Sequence, residues 1–266
     1  MTVILQRSVP YDMTPRPLPG IRGLALRDWL TRDEAFAPQM ALRARLVTTH
    51  RAQVIAAQPG SGALCRQVLQ FVLDWLACHD TAYRIDAKAV RCPDGAMVPL
   101  DRADPLGTLA RLIQEDLCLL TRQGGRHALT AAVLCFPAGW RLADKIGRPL
   151  TAIHDPVPSY DDRLAARVQR LFDAVTPDQP LWRFNALPYA APDLFQPHKV
   201  AATRDTPVRY LRSERQSILR LPDSPDDACL FSIHTYVIRT TDSPGQSDAT
   251  SRSAAQSHSS APGSGA

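Results

Sequence analysis

Three short stretches carry residue types that could do chemistry. In "TAIHDPVPSY", residues 151–160, His154 precedes Pro156 and Pro158. Two prolines stiffen the backbone, so a histidine ring held beside them loses little entropy on meeting a ligand. On spacing alone, a histidine that merely precedes a turn is the simpler reading. In "RSERQ", an extended chain puts Arg212, Glu214 and Gln216 on one face and Ser213 and Arg215 on the other. Charges on both faces of a sheet-like segment need partners or a ligand. The stretch therefore reads as an Arg–Glu network on a solvated edge, or as a clamp for a carboxylate, phosphate or propionate. In "IQEDL", residues 113–117, Glu115 and Asp116 would point about 100° apart on a helix, so at least one borders the apolar stripe. They fit a core network, a cap for the following loop, or an acid that holds an amine by charge.

The remaining histidines offer less. His50, His79 and His127 have no second ligand at useful spacing, His198 lies in the loop "FQPHKV", and His234 sits on a strand, where such a ring is usually a satisfied hydrogen-bonder. The six cysteines show no C-x-x-C spacing and no zinc-like pairing with histidine, and most lie in apolar runs where a buried free thiol is expected. There is no G-x-G-x-x-G after a strand, no P-loop, no G-x-S-x-G and no H-E-x-x-H. Chemistry here points to a bound cofactor or to a site without a common short motif.

The elements that must position these residues follow from periodicity. Leu64, Val68, Leu69, Val72, Trp75 and Leu76 form one stripe and predict a helix through 65–77. "LRDWLTRDEAFAPQMALRARLVTTH" predicts a second helical region, with Asp28 or Thr31 as caps. A third helix is expected through "DPLGTLARLIQEDLCLL", with Asp104 as N-cap and Pro105 in its first turn. "LTAAVLCF", residues 129–136, is too short for a helix before Pro137 and reads as a buried strand. "DDRLAARVQRLFDAV" is an amphipathic helix. "VRYLRSERQSILRL" and "ACLFSIHTYVIRT", parted by "PDSPDD", read as an antiparallel pair. The expected class is α+β, helices first and then an antiparallel sheet.

Composition bounds the rest. The chain has 266 residues, 45% hydrophobic and 21% charged, enough for a substantial core. Its 23 prolines against 13 glycines predict many rigid connections. The formal charge is +5, but the basic residues are dispersed, which argues against a nucleic-acid stripe and only weakly favours an anionic cofactor. No run approaches the ~18 apolar residues of a membrane helix, and the N-terminus does not read as a signal peptide, so a soluble, cytoplasmic protein is expected. From residue 240 onward there is no Val, Ile, Leu, Met or aromatic residue, so 241–266, with His258, reads as a disordered tail. The division expected is an N-terminal extension over 1–10, one domain over 11–240, and the tail.

"LIQEDLCLL", "LCFPAGWRLADKIGRPLTAIHDPVPSY", "WRFN" and "RYLRSERQSILRLP…LFSIHTY", with "MTPRPLP…DWLTRDEAF" near the start, resemble the heme-dependent oxidative N-demethylase family. The resemblance covers roughly residues 11–240. It implies a PAS-like fold, an antiparallel sheet with helices around a heme b pocket. It further implies O2 activation with electrons from NAD(P)H, directly or through a reductase or companion subunits. A small secondary amine such as dimethylamine would be oxidised at a methyl carbon, releasing formaldehyde. A non-catalytic PAS-like heme or small-molecule sensor is the alternative, since one pocket can bind without turnover. No nucleic acid or membrane partner is implied.

The resemblance also assigns residues. His154 is the axial ligand it implies, being the histidine within a family motif. Arg212, Glu214 and Arg215 match R-x-E-R-Q and are implied to hold propionates or a reductant's phosphates. Gln114, Glu115 and Asp116 match Q-E-D, which makes Glu115 and Asp116 candidate catalytic residues toward the amine. At 234 relatives tend to carry Arg or Lys. Ala186 stands where they usually carry an aromatic.

Overall fold

The computed structural model describes residues 3–14, 19–153, 162–198, 207–224 and 227–240, with the side chains of 162–165 left aside. Its strands are β1 (Arg22–Gly23), β2 (Ile55–Ala57), β3 (Arg84–Ile85), β4 (Ala89–Arg91), β5 (Met97–Pro99), β6 (Asp116–Gln123), β7 (Arg126–Val133), β8 (Leu181–Tyr189), β9 (Tyr210–Arg220) and β10 (Cys229–Arg239). The helices are α1 (Phe36–Thr49), α2 (Arg51–Val54), α3 (Gly62–His79), α4 (Pro105–Leu112), α5 (Leu150–Ile153) and α6 (Asp162–Ala174). The main sheet runs β1-β8-β9-β10-β6-β7-β2 and is antiparallel at each described pairing, and a small sheet orders β3-β4-β5.

Alternation along the strands splits the core in two. Leu117, Leu119, Ala131, Val133, Leu219 and Leu230 face a large cluster built with α1, α3 and α4; this is the first face. Cys118, Leu120, Ala132, Ile218, Cys229 and Phe231 face the cluster of α5 and α6, the second face. A central strand covered on both sides reads as a continuous apolar run, which is what "LCLL" and "TAAV" are. Helix α3 buries the predicted stripe, from Leu64 to Leu76. The β9–β10 pair also forms as expected, in unbroken register from Cys229 opposite Arg220 to Arg239 opposite Tyr210.

Two predicted helices are shorter than expected. Asp104 does cap α4, accepting from the Gly107 N–H at 3.0 Å, but the helix stops at Leu112 and Ile113 is already extended. The reason lies in α1. Buried Arg43 donates through Nε to the Ala110 carbonyl at 3.0 Å, through Nη1 to Gln114 at 3.1 Å and through Nη2 to Glu115 at 2.8 Å. It thereby satisfies carbonyls that a longer helix would have bonded internally. The chain then enters β6 at Asp116. In the N-terminal region, residues 26–28 form a single 3-10 turn and α1 begins only at Phe36. Neither Asp28 nor Thr31 caps it; the Asp33 carboxylate takes the Ala35 N–H at 2.9 Å.

The N-terminal segment belongs to the sheet. Strand β6 accompanies β10 only as far as Ile233. Beyond it, Gln6 serves the open edge: its N–H donates to the Val237 carbonyl at 2.9 Å, and its side-chain oxygen takes the Val237 N–H at 2.9 Å. The 154–161 segment and the residues after 240 lie outside the described residues, so the expectations for His154 and for the tail fall there.

Candidate functional site

Strand β9 distributes "RSERQ" as its alternation requires, and each face then finds its own partners. On the first face, Arg215 donates to the Trp29 carbonyl at 2.7 Å and the Asp28 carbonyl at 2.6 Å, with its guanidinium carbon 5.4 Å from the Trp182 ring. It ties the 28–31 turn to the sheet, and Trp29 completes the tie by donating to Ser232 at 2.9 Å. Ser213, on the same face, accepts from the Tyr11 hydroxyl at 2.8 Å. Ala186 lies directly opposite Ser213 in the β8 register.

His234 stands opposite Arg215 on β10 and is fully buried. Its Nδ1 donates to Glu115 and its Nε2 to Asp33, both at 3.1 Å. Burial works against the charged ring, but bonds from Asp33 and Glu115 outweigh it and raise its pKa from 6.5 to about 9. The ring is therefore an imidazolium at neutral pH. The reciprocal effect appears at Asp33, where burial would raise the carboxyl but His234, Gln114 and Gln6 hold it below the usual value. Gln114 bridges outward, donating to Asp33 at 2.9 Å and to Gln39 at 3.0 Å. Glu115 also takes the Thr31 N–H at 2.7 Å through Oε1, while its Oε2 is buried without a partner among the described residues.

Asp116 is one residue further and in a different network. One oxygen takes Arg43 at 2.6 Å and the Cys135 N–H at 2.8 Å; the other takes the Phe136 N–H at 2.8 Å. Both members of this ion pair are almost wholly buried. The carboxylate closes the turn after β7 and holds the arginine that ends α4.

The second face carries the other half of the motif. Glu214 is ringed by donors: Asn185 at 3.1 Å and Gln216 at 3.2 Å reach Oε2, and Arg212 approaches Oε1 at 3.4 Å. Arg212 also donates to the Leu194 carbonyl at 3.2 Å and to the Phe136 carbonyl at 2.5 Å, and lies 5.8 Å from the Tyr189 ring. On this face Arg183 Nε and Thr235 Oγ1 are buried without a hydrogen-bond partner among the described residues, while Arg212 Nε has only the Glu214 carboxylate at 3.4 Å. Arg183 stands one step along this face from the apolar row of Leu181, Ile218 and Phe231. Spare cationic donors beside apolar surface suit a flat apolar group that bears carboxylates.

The structure thus joins Glu115 to His234 and sets Arg212 beside Glu214, while Arg215 works on the opposite face and Asp116 in a separate network. His154 lies outside the described residues. Sequence reasoning passed over Asp33, Arg43 and Arg183. An arginine in the apolar run of α1 and an arginine inside "WRFN" were the available signals, but β8 itself was not anticipated.

The family model described as "Haem-dependent oxidative N-demethylase, alpha subunit-like" matches residues 20–262. The chain belongs to this family. The match takes in nearly the whole sheet and runs past residue 240, into the segment read as a tail and beyond the extent of the sequence resemblance. A comparison with curated proteins returns no match. The family's description as heme-dependent accords with the unmatched Arg183 Nε on the second face, since a heme carries carboxylates. No helix among the described residues of this N-demethylase-like chain is long and apolar enough to cross a membrane.

Proposed function

We propose that the protein is the heme-binding subunit of an oxidative N-demethylase that acts on a small secondary amine of the dimethylamine type. The observation that carries this reading is the family match over residues 20–262. Heme b, when bound, supplies O2 activation for oxidation of an N-methyl carbon, with electrons drawn from NAD(P)H directly or through a reductase or companion subunit. The hydroxylated methyl amine then collapses to formaldehyde and the smaller amine. The PAS-like reading of the sheet and its helices belongs to this proposal, as does one domain over 11–240.

The chain's own residues divide the work. His154 is the proposed axial ligand; Ile153, the residue before it, packs with the second-face cluster. Arg212 and Glu214 line that face, the arginine holding the Phe136 and Leu194 carbonyls in place and setting its positive charge, shared with Glu214, toward a propionate. Arg215 positions the 28–31 turn. Glu115 and Asp116 act through other groups: Glu115 fixes the His234 cation and the Thr31 backbone, and Asp116 fixes Arg43.

Absorbance of the purified protein after titration with hemin tests the cofactor, and formaldehyde release from dimethylamine with O2 and reductant tests the activity. A Soret band with formaldehyde release is expected. A Soret band without turnover, in the presence of companion subunits, leaves a sensor instead. No Soret band removes both. His154→Ala should shift the band; an unchanged spectrum places the ligand elsewhere.

A further inference from the structure

Arg183 sits in the middle of β8, on the second face, opposite Gln216, which in turn faces Ile233. Burial pulls its pKa below the usual arginine value, and Glu214 is the one counter-charge that offsets this. Yet Glu214 cannot serve it well. Oε2 is taken by Asn185 and Gln216 and Oε1 lies against Arg212, and no carboxylate among the described residues lies within ion-pair distance of Arg183. Its Nε is buried with no acceptor among them. The residue is only half-buried, so the terminal nitrogens of its fork stay open to a ligand, and the buried, unmatched Nε carries a cost that an arriving anion relieves. Its planar fork matches a carboxylate, and the neighbouring Leu181 and Phe231, both only partly buried, offer apolar surface to the body of the same ligand.

We propose that Arg183 is an anion receptor on the second face, taking a carboxylate of a ligand that lies against Leu181 and Phe231. Naming that carboxylate a heme propionate rests on the function proposed above; the need for an anion does not. Arg212 is already committed to two backbone carbonyls, so Arg183 is the arginine with the freer fork.

The test compares hemin with its dimethyl ester, in which the propionates carry no charge, on the full chain. Wild type is expected to bind hemin roughly tenfold more tightly than the ester. Arg183→Gln should lose that preference, and Arg183→Lys should keep part of it. The Soret position should stay the same in all three, because iron ligation is not touched. Equal affinity of wild type for hemin and ester overturns the proposal, without reliance on any variant. So does an Arg183→Gln protein, folded by its thermal melt, that still prefers hemin tenfold. Should wild type bind neither porphyrin, the heme reading fails on its own, and succinate becomes the probe. A higher melting temperature with succinate in wild type but not in Arg183→Gln upholds the receptor, and the absence of any difference overturns it.

Discussion

His234 shows how one side chain sets a pH window. Its folded pKa, about 9, lies above the ordinary 6.5, so the protonated ring stabilises the fold fully below pH 6.5 and that contribution is lost as pH rises through 9. The effect is on the order of 3 kcal/mol. Asp33, held low, acts in the opposite sense, and its contribution fades as pH falls below 3.8. Urea denaturation across pH 6 to 10 should show stability falling steadily, whereas His234→Lys should flatten the profile, since a lysine stays charged through that range. Arg43 makes a second test. Arg43→Met leaves Asp116 buried and unpaired and should cost about 3–5 kcal/mol. The double variant Arg43→Met, Asp116→Leu should recover much of the charge penalty in the same melt, with the lost backbone bonds as the remainder.

Among the secondary-structure elements, β10 depends on a neighbour remote in sequence. Gln6 closes its edge beyond Ile233 with two backbone-directed bonds, and its side-chain amide also donates to the Thr235 carbonyl at 3.2 Å. Gln6→Ala should destabilise by about 1–3 kcal/mol, because the Val237 N–H loses its acceptor inside the fold. Hydrogen exchange at Val237 should speed up while exchange in β7 stays as it was. On the other side of the sheet, β8 is paired on its outer flank, among the described residues, only through Trp182 and Leu181. Pro188, beyond that pairing, has no N–H to offer an added strand, which weakens this edge as a template for a second chain.

Taken together, the helices on both faces leave little thiol surface. Five of the six cysteines are buried and Cys78 alone is exposed. Burial pushes the thiols of Cys92, Cys118 and Cys135 up to about 12 and that of Cys229 to about 11. A thiol reagent at neutral pH should therefore label the native protein at Cys78 within minutes and the others only after unfolding; mass spectrometry of the labelled peptides checks this. Rapid labelling of Cys135 or Cys118 would mean that the core around β6 and β7 opens readily.

Local pattern was enough for the α3 stripe, for the β9–β10 pair and for the split of Arg212 and Glu214 from Arg215, because periods of 3.6 and 2 are written in adjacent residues. It was also enough for family membership, carried by motifs that keep their order. It failed at "LIQEDLCLL", where an apolar run suits a buried helix and a buried strand equally. There the deciding group was Arg43, some seventy residues away, whose guanidinium ends α4. It failed again for Glu115 and His234, which are 119 positions apart and meet only once the sheet is assembled. Periodicity tells which way a side chain points; the partner of a buried charge is chosen by long-range packing, and that information exists only in the folded chain.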